Sequence, residues 1–116
     1  MVEGFANAGA TVAIASRKLD ACEAIAGSIS ARGGKASAHQ MHAGRWEDCD
    51  RLFEEVRQTW GGGDILINNA GMSPIAPSSL ETSEELFDKI VSVNMKGPFR
   101  LCSLFGSDMV KRGGGC

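Results

Sequence analysis

The stretch DILINNAG, residues 64–71, places a short apolar run directly before two carboxamides, a methyl group and a glycine. The apolar run, Ile65–Ile67, predicts a buried strand of a parallel sheet that is covered on both faces. Polar residues at the carboxyl end of such a strand lie where open α/β sheets bind ligands. Ala70 and Gly71 have almost no side chain, so they would let a planar ligand approach the backbone closely. The alternative interpretation is a strand followed by an ordinary Asn-Gly-type turn.

Outside this stretch, helical spacing of apolar residues alternates with short β-rich runs. Strands separated by helices are typical of an α/β fold with a doubly wound parallel sheet. The Thr82-x-x-Glu85 pattern predicts a capping box that opens the fourth helix. The predicted helices lie near residues 2–9, 19–29, 46–60, 82–93 and 99–109, and the predicted strands near 11–15, 35–42 and 65–67.

Composition and charge indicate a globular protein and exclude several classes. The chain has 116 residues, is 43% hydrophobic and carries a net charge of -2, with acidic and basic residues interspersed. We therefore expect no nucleic-acid partner, membrane span or secretory leader. The cysteines lack metal-type spacing, so we expect no metal site, and the three in helical patterns are predicted to be reduced, packed thiols of a cytoplasmic protein. These three are Cys22, Cys49 and Cys102, and the fourth cysteine is Cys116.

Four segments resemble the short-chain dehydrogenase/reductase family in order and spacing. DILINNAG resembles the segment after the family's fourth strand, and VNMKGPF, residues 93–99, resembles its V-N-x-x-G-x-F segment. Residues 1–17 resemble the end of the first helix and the second strand, and residues 82–90 the helix after the fourth strand. The resemblance implies a partial Rossmann-type sheet, from the end of the first helix to the helix before the fifth strand. It also implies that residues 1–116 are one partial NAD(P)-binding domain.

Two hallmarks of the family have no counterpart in the sequence. Family members begin with a T-G-x-x-x-G-x-G turn after a first strand, whereas this sequence begins inside the helix that follows it. They also have a catalytic Ser and a Tyr-x-x-x-Lys pair further along, whereas this chain has no tyrosine. We therefore expect an internal piece of a longer enzyme that has no activity by itself.

Ser16 and Arg17 end the first predicted strand, where a dinucleotide fold contacts the adenosine ribose. An acid there would accept hydrogen bonds from both ribose hydroxyls, but the local run is Ser-Arg-Lys. A guanidinium can hold a phosphate through two parallel hydrogen bonds, and the Ser16 hydroxyl can add another. The sequence therefore favours NADP(H) over NAD(H) as cofactor. Alternatively, Arg17 and Lys18 only solvate the turn.

His42 and Ala43 end the next predicted strand, where the family usually has an Asp-Val-like pair whose acid faces the adenine. The departure leaves two interpretations open: a neutral His42 could hydrogen-bond the adenine, or it could be a polar surface group. His39 is expected to be only a surface group. By resemblance, Asn69 contacts the adenosine-side ribose and steadies the central strands. The resemblance also implies that Gly71 lets the nicotinamide side of the cofactor pass.

Asn94 is the only residue for which the resemblance implies a catalytic role. In the family, this asparagine lies where a helix is distorted, and its main-chain carbonyl holds a water that leads to the active-site lysine. Gly97 and Pro98 support a distortion here, and the Asn94 side chain could replace a helix bond broken by the kink. The alternative is an ordinary helical asparagine near a proline kink.

The resemblance implies hydride transfer between nicotinamide and a small carbonyl or alcohol substrate. It also implies a homo-oligomer that pairs through the helices around Leu86–Met109. Two alternatives remain open at this point: a non-catalytic remnant that acts as an interaction module, and an NAD(P)-binding epimerase-type relative.

Overall fold

A computed structural model describes residues 1–116. Their elements are, in chain order, α1 Val2–Asn7, β1 Val12–Ser16, α2 Leu19–Ala31, β2 Ala36–Gln40, α3 Trp46–Trp60, α4 Glu84–Val91, a π-helical turn Ser92–Lys96 and α5 Gly97–Arg112. None of the helices combines the length and the apolar character that crossing a membrane requires. The chain divides into an amino-terminal unit, Met1–His42, and a carboxy-terminal unit, Ala43–Cys116.

The amino-terminal unit contains the sheet. Strands β1 and β2 run parallel, in a register that pairs Val12 with Ala36 and Ser16 with Gln40. Helix α2 connects them, because a parallel pair needs a crossover connection. This confirms the predicted strand–helix–strand order. The core of the unit consists of Ile14, Cys22, Ala26 and Ile29.

His39 lies in β2 and is only 6% exposed, so the expectation of a surface group was wrong. Its Nε2 lies 2.8 Å from the Ser37 hydroxyl oxygen. Burial of an imidazole requires such a partner, because an unsatisfied polar group in the interior is costly. His39 therefore belongs to the packing of β2.

In the carboxy-terminal unit, α3 packs against α5. The rings of Phe53 and Phe105 meet edge to face at 5.1 Å between centroids. Helix α3 follows its predicted bounds and ends at Gly61, which adopts a left-handed conformation with φ 81°, as helix C-termini commonly do. The buried residues on the two helices are Cys49, Leu52 and Val56 of α3, and Gly97, Leu101, Phe105 and Met109 of α5.

The prediction of a strand at Ile65–Ile67 was wrong. No strand is formed there, and the Ile65 and Ile67 side chains are 52% and 48% exposed. Only Cys116 forms backbone hydrogen bonds with the segment: its N–H donates to Asp64 O at 3.0 Å, and its carbonyl accepts from Leu66 N at 2.7 Å. A strand inside a parallel sheet pairs with neighbouring strands along its edges and is covered on both faces, and two backbone bonds do not make a ladder.

The predicted capping box at Thr82 and Glu85 was also wrong. Ser83 is the N-cap of α4, and its hydroxyl oxygen accepts a hydrogen bond from Leu86 N at 3.2 Å. The Thr82 hydroxyl instead donates to Ser78 O at 3.1 Å. The Thr82 hydroxyl is therefore engaged in a turn before the helix, and the N-cap lies one residue later, at Ser83.

Candidate functional site

At the carboxyl end of β1, the Ser16 hydroxyl is committed to local hydrogen bonds. It donates to Lys18 O and accepts from Lys18 N, both at 3.1 Å. It also accepts from the Cys22 thiol at 3.2 Å. A hydroxyl has one donor and two acceptor positions, so all three are in use. Ser16 can therefore bind a phosphate only by giving up part of this turn.

Arg17 follows Ser16 with an exposed side chain, and Gln40 of β2 fixes its backbone. Gln40 Nε2 donates to Arg17 O at 3.3 Å. Met41 N donates to Ser16 O at 2.9 Å, which continues the sheet by one step. The ends of both strands thus bring Ser16, Arg17 and Gln40 together, with His42, which is partly exposed, two residues beyond Gln40. Sequence reasoning missed Gln40, whose only signal was its place near the end of a predicted strand.

In the carboxy-terminal unit, the residues after the apolar run line an open cavity of about 560 Å³. Ala70, Gly71 and Asn94, all predicted site residues, are part of the lining, whereas Asn69 is not. Asn68, for which no role was predicted, does line the cavity. The complete lining is Asn68, Ala70, Gly71, Met72, Ser73, Asn94 and Pro98.

None of these lining side chains titrates in the physiological range. The wall offers carboxamides, one hydroxyl and backbone groups, which can bind and orient a ligand. General acid–base catalysis needs a group that gains or loses a proton near the operating pH. The wall can therefore position a reactant, but it cannot supply the proton in a reaction.

Asn94 lies in the π-helical turn that joins α4 to α5. The predicted distortion is thus confirmed, and its form is a widened turn. The prediction that the Asn94 side chain could replace a broken helix bond was wrong. Its Oδ1 accepts from Met72 N at 2.8 Å, and its Nδ2 donates to Met72 O at 2.7 Å.

Gly97 follows the π turn and touches the backbone of Ala43. A Cβ added at Gly97 would lie 1.6 Å from Ala43 O, so only glycine fits without displacement. Ala43, a predicted cofactor contact, is only 8% exposed. In this structure Ala43 is mainly a packing residue, because its carbonyl lies against Gly97, where the π turn passes into α5.

Two cysteines near these residues differ in environment. Burial raises the pKa of the Cys49 thiol above its ordinary 9.0, and the carboxylates of Asp50 and Asp48 raise this pKa further. Cys49 is therefore a neutral packing thiol and not a nucleophile. Cys102, predicted to be packed, is exposed, and its sulfur accepts a hydrogen bond from Asn68 Nδ2 at 3.2 Å.

Arg100 links the start of α3 to α5 beside the π turn. Its guanidinium lies 4.7 Å from the ring centroid of Trp46, and its Nε donates to Asp50 Oδ1 at 2.6 Å. The hydrogen bond to Asp50 raises the pKa of Arg100. Arginine suits this position, because its guanidinium stays charged and can both stack on the Trp46 ring and donate to the Asp50 carboxylate.

Comparison with known proteins gives a consistent set of relatives. The profile of the family described as short chain dehydrogenase matches residues 1–116. Dehydrogenase/reductase SDR family member 4 from Bos taurus is 36% identical over 111 residues, which cover 96% of this chain and 40% of that protein. Dehydrogenase/reductase SDR family member 2, mitochondrial, from Homo sapiens is 36% identical over 99 residues, which cover 85% of this chain and 35% of that protein.

Among solved structures, L-sorbose reductase from Gluconobacter frateurii, complexed with NADPH and L-sorbose, has a TM-score of 0.92 at 30% identity. The match covers 97% of this chain and 43% of that one. The chain thus spans about two-fifths of the length of the curated relatives and solved structures it matches.

Proposed function

Because this chain belongs to the short-chain dehydrogenase family, we propose that it forms part of an oxidoreductase that transfers hydride between NADP(H) and a carbonyl or alcohol substrate. The observation that carries the proposal is the wall of small residues, Ala70 and Gly71, beside Asn94 on a π turn. When bound, the nicotinamide accepts or gives the hydride, and the protein orients it. Residues 1–116 are proposed to belong to one NAD(P)-binding domain.

Ser16, Arg17 and His42 are proposed to contact the adenosine part of the cofactor. The exposed Arg17 guanidinium and the absence of an acid at residues 16–18 fit a 2′-phosphate, since an acid would repel it. Ser16 would add a hydrogen bond only after partial release from its turn. The bound NADPH of L-sorbose reductase supports NADP(H) over NAD(H).

The carboxy-terminal unit is proposed to contact the cofactor through Asn69, Ala70 and Gly71, and through the small part of Ala43 that is exposed, 8%. A Cβ added at Gly71 would have only Asn94 Oδ1 within contact range, at 3.6 Å. The space on the Cβ side of Gly71 is therefore free of close contacts, which would let a planar ring approach the backbone there.

Asn94 is proposed to be the catalytic residue of this chain through its main-chain carbonyl. In a π turn the backbone ladder shifts from its usual spacing, and such turns frequently lie at functional sites. The shift supports a carbonyl that is available to hold a water for proton transfer. The side chain is engaged elsewhere, because its oxygen accepts from Met72 N and one of its N–H groups donates to Met72 O.

The 116 residues by themselves are proposed to be inactive and to bind NADP(H) negligibly. No lining side chain of the cavity can exchange a proton at neutral pH, and the chain has no tyrosine to do so. The substrate is not specified beyond the carbonyl/alcohol class. A reducing compartment such as the cytoplasm is proposed from the four free thiols.

A protein interface is proposed at α4, the π turn and α5, which fall within Leu86–Met109 and its flanks. Large apolar side chains are exposed there: Phe87 is 60%, Met95 67%, Phe99 64% and Val110 79% exposed. Apolar side chains that are exposed together on a surface can mark an interaction site. They support a homo-oligomer of the enzyme, and they equally favour the second candidate function, a non-catalytic interaction module.

The decisive experiment compares NADPH and NADH binding to the natural protein that contains these residues, by calorimetry. Arg17→Glu should weaken NADPH binding about 10- to 100-fold, because a charge-assisted bond contributes about 1.5–3 kcal/mol, and should change NADH binding less than about threefold. Lys35→Glu, the same charge change at the amino end of β2, is the matched control and should leave both unchanged. Equal loss for both cofactors would reject the role of Arg17, and no binding of either cofactor would favour the interaction module.

A further inference from the structure

The Ser16 hydroxyl, at the end of β1, is held by a buried residue of α2. Cys22 is only 2% exposed and belongs to the core of the amino-terminal unit. Its thiol donates to Ser16 Oγ at 3.2 Å, and Lys18 N donates to the same oxygen at 3.1 Å. Two donors therefore fix the position of this oxygen, one from the core and one from the turn.

The hydroxyl proton is the part of Ser16 that can change partner. It is donated to Lys18 O at 3.1 Å, and a hydroxyl hydrogen rotates to suit its surroundings. If the proton turns to a phosphate oxygen, Lys18 O still accepts from Cys22 N at 3.3 Å. Lys18 is also exposed, so water can reach its carbonyl. Ser16 can thus donate to a phosphate while the thiol and Lys18 N keep hold of Oγ.

We propose that Cys22 is a positioning residue for recognition of the 2′-phosphate of NADP(H), because its thiol holds Ser16 Oγ ready to donate to that phosphate. This inference rests on the proposed function, in which Ser16 and Arg17 contact the adenosine part of the cofactor. An apolar residue at position 22 could fill the same core, but it would leave one acceptor position of Oγ empty. Ordering a free side chain on binding costs free energy, and the thiol removes this cost for Ser16 before the cofactor arrives.

The role of Cys22 bears on the choice between the two cofactors. The thiol is buried, so its effect on a ligand must pass through Ser16. NADH carries no 2′-phosphate, and loss of the thiol should therefore alter the binding of NADPH and not that of NADH. A mere loss of packing in the core would instead affect both cofactors alike.

The test measures NADPH and NADH binding to the natural protein by calorimetry. Cys22→Ala should weaken NADPH binding about two- to tenfold, the range that the ordering of one side chain contributes, and should leave NADH binding unchanged. Cys22→Ser supplies a hydroxyl donor in place of the thiol and should recover most of the NADPH affinity. Ile29→Val, which removes one methyl group from the same core, is the matched control for lost packing and should change neither affinity.

A second measurement needs no cofactor. Hydrogen–deuterium exchange of the Lys18 amide in the free protein should be about twofold faster or more in Cys22→Ala, because the oxygen that accepts from this amide is then free to turn away. Exchange of the same amide should stay unchanged in Cys22→Ser and in Ile29→Val.

Unchanged NADPH binding in Cys22→Ala, an equal loss for both cofactors, or no recovery in Cys22→Ser would overturn the proposal. So would Lys18 exchange that does not respond to Cys22→Ala. Arg17→Glu separates this inference from the proposed function: if it weakens NADPH binding selectively and Cys22→Ala does not, the proposed function stands and the role of Cys22 fails. If the unsubstituted protein binds neither cofactor, both fail.

Discussion

The contact between Gly97 and Ala43 allows a stability effect to be calculated from the structure. Replacing Gly97 with alanine would place a Cβ 1.6 Å from Ala43 O and 2.7 Å from its carbonyl carbon. Ordinary Cβ contacts begin at 3.4 Å. The two backbones would therefore have to separate by about 1.8 Å.

Neither side can give way by a side-chain rotation, because the obstacle is backbone. The Ala43 carbonyl also faces the buried Cys49 thiol, 3.9 Å from its sulfur. Overpacking typically costs about 1–3 kcal/mol and occasionally more. We expect Gly97→Ala to lower the free energy of unfolding by about 3 kcal/mol or more, and to speed amide exchange in the π turn.

Gly106→Ala, in the middle of the same helix, is the control. Nothing lies within 4 Å of a Cβ added at Gly106. Alanine has a higher helix propensity than glycine, so this variant should gain about 0.5–1 kcal/mol. Urea unfolding of the natural protein, followed by circular dichroism, measures both. If the two variants differ by less than about 1 kcal/mol, Gly97 does not touch Ala43 in the way described.

Two further predictions concern α4 and the buried thiol. Ser83→Ala removes the cap of α4 and should destabilise this helix by about 1 kcal/mol, seen as faster exchange of the Leu86 amide; Thr82→Ala, which leaves the cap intact, should not affect that amide. Folding raises the pKa of Cys49 above 9.0, so the folded state holds this proton more tightly than the unfolded state. The free energy of unfolding should therefore fall as the pH rises past 9. A pH series of urea midpoints should show that Cys49→Ala removes this fall, and an unchanged slope would contradict the assignment.

The helices could be predicted from the sequence because their signals are local. Helix α3 has an amphipathic face and a glycine stop, and it runs over its predicted bounds, Trp46–Trp60. The failure at Thr82 was also local: two adjacent hydroxyl residues could each cap α4, and the turn at Ser78 decided between them. Such a choice depends on the geometry of the turn, which composition does not contain.

The strand at Ile65–Ile67 failed for a different reason. An apolar run indicates that a segment can be a buried strand, but burial requires neighbours in space. Among residues 1–116, only Cys116 forms backbone hydrogen bonds with the segment. The partner of the Asn94 side chain was similarly invisible, because Met72 lies 22 positions away. The sequence predicted the distorted turn, but it did not predict that the Asn94 side chain bonds Met72.

The uncharged lining of the cavity has a consequence for kinetics. Since no side chain in the wall gains or loses a proton between pH 5 and 9, ligand contacts made there keep the same strength across that range. For the proposed reaction, a pH–rate profile measured on the natural protein would then report only on groups outside the wall. The inflection points of such a profile could be assigned to the proton-transfer residues without correction for a changing binding surface.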